Sequence, residues 1–101
     1  MKETQRTICD WADKTFGYSK DPRSAIKRML KEVEELKDKM DSGAATFDDL
    51  ADEMADIFIT GYRVFDVLGF NGDACVDHKM EINRARKWKL NGDGTGQHIK
   101  E

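Results

Sequence analysis

Between Asp21 and Gly43 the apolar residues Ile26, Met29, Leu30, Val33, Leu36 and Met40 recur at steps of three and four. That spacing follows the turn of an α-helix, about 3.6 residues, and excludes a strand, in which apolar positions alternate. Asp21-Pro22 is a helix-start signal, because a proline in the first turn lacks only an N–H that would have no helical partner there. Asp41-Ser42-Gly43 breaks the run. A helix with one apolar stripe must bury it against others, so the rest of the chain should supply them.

Three further helices are legible. The first runs from about Lys2 to Phe16, with Ile8, Trp11, Ala12 and Phe16 at helical spacing before Gly17. A third starts at a cap supplied by Thr46 or Asp48, continues through Leu50, Met54, Ile57, Phe58, Val64, Phe65 and Leu68, and stops at Gly69. Residues 57–67 are rich in branched and aromatic side chains that suit a strand, but their spacing favours a helix. Asn71-Gly72-Asp73 is a turn opening a fourth helix to about Trp88. The expected architecture is all-α: a single four-helix domain over residues 1–90 and a glycine-rich tail, 91–101, that is mobile and acts as a flap or lid. Ala55, Ile59 and Tyr62 lie opposite the main stripe of the third helix, which implies burial on two sides and hence self-association.

Composition removes several classes of function. With 101 residues the chain has the size of one domain, and its 37% charged and 39% hydrophobic residues suit amphipathic helices rather than disorder. A net charge of -3 and a pI of 5.4 provide no basic field for a nucleic-acid polymer. Cys9 and Cys75 are too few for a disulfide framework, and no signal or membrane-spanning segment is apparent. The expectation is a reduced, cytoplasmic protein with no membrane partner.

The residues that carry chemistry are acids. Glu32 and Glu35 are three apart on the second helix, and Glu53 and Asp56 are three apart on the third, so each pair projects from one face. Both pairs flank the apolar stripes. Packing the two helices antiparallel through those stripes brings four carboxylates together, and like charges at close range need a cation to remain ionised. Oxygen ligands alone favour magnesium or manganese. The bland reading is two pairs of ordinary surface acids among the chain's twenty Asp and Glu residues. Lys79, Asn83 and Arg86 weigh against it: they stand at i, i+4 and i+7 on the fourth helix and offer two cations and an amide to a polyphosphate. Together the two sets suggest metal-assisted attack of water on phosphorus, with Glu35 or Glu53 as proton acceptor. Trp11, with Phe16 beside it, is a candidate to stack a base, and His98 to reach substrate from the tail.

Other motifs lose to simpler readings. Asn91, Asp93, Thr95 and Gly96 match half of a calcium-binding loop, but its twelfth-position glutamate is missing. With no strand expected before Gly92 or Gly94, a Walker-type phosphate loop is excluded. His78 and the two cysteines have no partners at zinc spacing and are read as inert.

Three blocks, Glu32-Val-Glu-Glu35, Glu53-Met-Ala-Asp56 and Lys79-Met-Glu-Ile-Asn83-Arg-Ala-Arg86-Lys-Trp88, resemble in order and spacing the MazG-like branch of the all-α nucleoside triphosphate pyrophosphohydrolases. The resemblance spans about Trp11 to His98, and the ending from Trp88 to Gly96 is similar to small phage-encoded members acting on purine deoxynucleoside triphosphates. It implies hydrolysis of a nucleoside triphosphate such as dGTP, GTP or dATP to the monophosphate and pyrophosphate. It further implies magnesium or manganese held by Glu32, Glu35, Glu53 and Asp56, phosphates served by Lys79, Asn83 and Arg86, and a homodimer or homotetramer that completes the four-helix bundle and the site. A phage-encoded member would work in the host cytoplasm. Two alternatives stay open: a pyrimidine substrate, dUTP or dCTP, or a non-catalytic oligomeric helical adaptor.

Overall fold

Four capped helices and a terminal hairpin make up residues 2–100, the part of the chain described in the computed structural model. The helices are α1 (Gln5–Phe16), α2 (Pro22–Ser42), α3 (Phe47–Leu68) and α4 (Gly72–Ala85); the strands are β1 (Trp88–Leu90) and β2 (Gly96–His98). Each helix begins where a short polar side chain can satisfy an orphan N–H. Thr4 accepts from Thr7, Asp21 from Arg23, Thr46 from Asp49 and Asn71 from Ala74. Of the two caps considered for α3, Thr46 is the one used, in a reciprocal box with Asp49. Gly43 and Gly69 end α2 and α3 in the left-handed conformation, at φ 68° and 84°.

The α2 and α3 helices pack antiparallel: Lys39 meets Glu53 near one end, and the Met29 methyl lies 3.6 Å from a Cβ built on Gly61 toward the other. The α1 helix lies against α3, with the Cys9 thiol 3.7 Å from the Tyr62 carbonyl. Gln5 fastens this arrangement at its far end. Its side-chain N–H donates to the Phe70 carbonyl at 2.8 Å, and its Oε1 accepts from the Gly72 backbone N–H at 2.6 Å. The α4 helix touches the rest only lightly, through α3 and, at its first residue, through the Gln5 side chain of α1.

Two expectations are revised. The fourth helix stops at Ala85, not near Trp88, so Lys79 and Asn83 keep helical spacing while Arg86 sits beyond the helix in extended backbone. The glycine-rich segment is no loose flap: Trp88, Lys89 and Leu90 pair antiparallel with His98, Gln97 and Gly96. Asn91, Asp93 and Thr95 spend their oxygens and amides on one another in the turn, which leaves no cation loop. A strand therefore does precede Gly92, but a second strand follows it where a phosphate loop needs a helix. Finally, the Ala55–Ile59–Tyr62 face of α3 is closed within the chain only at Tyr62, while Ala55 and Ile59 are exposed. Tyr62 is half-buried and its hydroxyl donates to Asp73, and Ile59 lines a groove shared with α1 and α2.

More bare apolar surface lies elsewhere. Among the described residues the buried hydrophobic set is only Cys9, Ala12, Ala25, Ile57 and Val64, whereas Leu30 is 57% and Phe58 62% exposed. Ile26, Val33 and Met40 on α2, and Met54 and Leu68 on α3, are exposed with them. The radius of gyration, 16.1 Å, exceeds the roughly 13 Å of a compact domain of this length.

Candidate metal centre

The antiparallel α2–α3 pair brings the two acid pairs to one place. Carboxylate oxygens of Glu32, Glu35 and Glu53 all lie within 4.8 Å of one another. Asp56 stands slightly apart from that trio but close enough for its charge to bear on Glu32, and the two line the same groove. Glu32 is the innermost, 6% exposed; Glu53 is half-buried and Glu35 opens to solvent.

The cluster is electrostatically unsatisfied. Burial, and next the neighbouring Glu35 carboxylate, raise the Glu32 pKa above its ordinary value, while Arg28 pulls the other way. The Arg28 guanidinium donates to Glu32 Oε1 at 2.6 Å, and the Lys39 ammonium donates to Glu53 Oε1 at 2.8 Å. Glu53 Oε2 is buried with no hydrogen-bond partner among the described residues. A buried carboxylate oxygen lacking a hydrogen bond, beside two more carboxylates, suits a hard divalent cation with oxygen ligands.

From this cluster a groove of about 680 Å³ opens between α1, α2 and α3. Glu32 and Asp56 form its acidic end, and Trp11, Phe16 and Ile59 its apolar wall. Trp11, 56% exposed, meets Phe16 edge to face with ring centres 5.4 Å apart. Arg28, Ser24, Thr60 and Arg63 also line the groove. Arg63 is held by the Gly17 carbonyl at 2.8 Å and by Asp13 at 3.4 Å, and its Nη1 is buried without a partner.

The sequence-based set thus divides. Glu32, Glu35, Glu53, Asp56 and Trp11 converge on one cluster and its groove. Lys79, Asn83 and Arg86 do not line the groove: Lys79 is exposed, and the Asn83 carbonyl accepts from the Arg86 amide and the Trp88 indole. His98 lies on the hairpin against Trp88, ring centres 5.9 Å apart, also outside the groove. Arg28, Lys39 and Arg63 were not singled out from sequence, although a signal existed. Arg28 precedes Glu32 by one turn, Lys39 follows Glu35 by one turn, and Arg63 follows Asp56 by two.

Cys9 is fully buried, and burial with the nearby Asp66 charge raises its thiol to about 11, so it is a packing residue and no nucleophile. Among the described residues no helix is long and apolar enough to cross a membrane.

No protein-family model matches this sequence, and no curated protein matches it. The fold, by contrast, is similar to that of the cyanophage S-2L MazG-like pyrophosphohydrolase bound to dGDP and three catalytic Mn2+ ions per active site, with a TM-score of 0.73 and 29% sequence identity over 95% of this chain and 93% of that one.

Proposed function

We infer that this chain is a MazG-like, metal-dependent nucleotide pyrophosphohydrolase, an enzyme that cleaves a nucleoside triphosphate to the monophosphate and pyrophosphate. The observation that carries the reading is the carboxylate cluster at one end of a groove walled by aromatic rings.

Glu32, Glu35, Glu53 and Asp56 would hold magnesium or manganese, and the partnerless Glu53 Oε2 fits that assignment. Such an ion, when bound, supplies positive charge that offsets the charge developing on phosphoryl oxygens. Glu35, the solvent-facing acid of the cluster, is positioned to take a proton from an entering water, whereas Glu53 already shares an oxygen with Lys39. Trp11 and Phe16 offer a nucleobase a flat apolar wall, and stacking of this kind contributes about 1–3 kcal/mol per base. A purine triphosphate is the proposed substrate, supported by the guanine nucleotide bound to the structural neighbour.

Lys79, Asn83 and Arg86 are proposed to bind phosphates in the site of a second copy. Two observations support this: α4 presents Lys79 to solvent, and the exposed stripes of α2 and α3 leave the bundle half-built. The working unit is then a homodimer or a dimer of dimers, each chain a single domain ending in the hairpin.

The direct test is pyrophosphate release from each common ribo- and deoxynucleoside triphosphate with Mg2+ or Mn2+. Purine deoxynucleotides should be cleaved best. Glu53→Gln should lower kcat/KM by about 100-fold or more while far-UV circular dichroism is unchanged. Pyrophosphate from no substrate with either metal would sink the reading.

A further inference from the structure

Lys39 belongs neither to the groove nor to the basic set on α4, yet among the described residues it makes the one ion pair that joins α2 to α3 at the acid cluster. Its ammonium is 2.8 Å from Glu53 Oε1. The neighbouring Lys37 pairs within its own helix, with Asp41 one turn on, and has no such reach. Burial in the Lys39 pair is lopsided: the lysine side chain is 47% exposed and the glutamate 14%. The carboxylate is thus fixed in the protein, while the ammonium comes to it on a flexible stem from solvent and can leave the same way.

An ammonium at hydrogen-bond distance occupies one oxygen of a carboxylate whose other oxygen is the partnerless Oε2. A divalent ion that takes Glu53 through both oxygens competes with the ammonium for Oε1, and an ammonium held so near repels a cation at either oxygen. Both effects carry the same sign. We propose that Lys39 is a built-in counter-ion that a metal must displace from Glu53, so that its charge sets how tightly the site takes the metal. This rests on the metal-site reading above. Lys39 holds the acids of α2 and α3 together before metal arrives and yields when it does. A residue that merely oriented Glu53 for the metal would act in the opposite direction, because its loss would weaken binding.

Mn2+ titration of the full chain by calorimetry distinguishes the two. Lys39→Met should bind Mn2+ about two- to fivefold tighter than wild type, the range of a partly exposed ion pair. Lys39→Arg, whose planar guanidinium grips a carboxylate with two parallel hydrogen bonds, should bind it more weakly, and Lys37→Met should match wild type. Without metal, Lys39→Met should melt below wild type and gain more on adding Mn2+. Unchanged or weaker binding by Lys39→Met overturns the proposal and leaves the metal site standing. If Lys39→Met does not fold, Lys39→Arg decides alone: binding equal to or tighter than wild type overturns the proposal. Absence of Mn2+ binding by wild type overturns both readings.

Discussion

Glu32 concentrates the tension of the site in one side chain. It is 6% exposed, faces Glu35 and Asp56, and has a single cation, Arg28, against it. Its folded pKa lies above the ordinary value of 4.5, so between those two values the folded protein holds more of its proton than the unfolded chain does. Stability from this group is therefore fully present below the unfolded value and is lost as pH rises through the raised folded one. The expected outcome is that metal-free Glu32→Gln is more stable than metal-free wild type at neutral pH, with the gap closing as pH falls toward 4.5. Adding Mn2+ should reverse the order, because only wild type gains a ligand. Urea unfolding across pH, with and without metal, checks both signs; a gap that widened on acidification would contradict the assignment.

At the scale of elements, the α2–α3 pair carries the chemistry and the Gln5 clamp holds the corner between α3 and α4. Gly72 is the tight point of that corner. A Cβ there would stand 2.5 Å from the Phe65 ring and 3.0 Å from Gln5 Oε1, the atom that accepts the Gly72 N–H. The requirement is steric, since Gly72 is not among the glycines with positive φ. Gly72→Ala should cost about 1–3 kcal/mol in denaturant unfolding while leaving the Mn2+ affinity of the α2–α3 cluster within about twofold, since no cluster residue touches the corner. A loss below about 0.5 kcal/mol would show that Phe65 moves aside freely.

For the whole molecule, the deciding quantity is apolar surface left in water. Phe58 is 62% and Leu30 57% exposed, and Ile26, Val33 and Met54 are exposed with them, apolar surface of the kind that marks a contact between proteins. A second copy is the proposed cover. Phe58→Asp should convert an oligomer to monomer in sedimentation velocity and abolish pyrophosphate release, because α4 would no longer reach a partner's groove. A wild type that sediments as monomer at micromolar concentration would remove the need for any partner.

The sequence by itself determined what local physics decides. Helix period, the caps at Asp21 and Thr46 and the stop signals at Gly43 and Gly69 are properties of a few adjacent residues, and α2 and α3 came out as read. Three-residue spacing on two antiparallel helices also leaves little freedom in where Glu32, Glu35 and Glu53 meet, and the structure puts these three together. The end of α4 and the hairpin were misread, since strands as short as Trp88–Leu90 and Gly96–His98 have too few residues for any period to show. Only the tertiary structure decided which apolar face of α3 is covered. A wheel shows two apolar faces but not that α1 crosses beside Tyr62 and leaves Phe58 bare. It likewise decided that Arg28, Lys39 and Arg63, ordinary helix cations by sequence, surround the acids. Their roles depend on what packs opposite them, and that is settled by contacts between residues far apart in the chain.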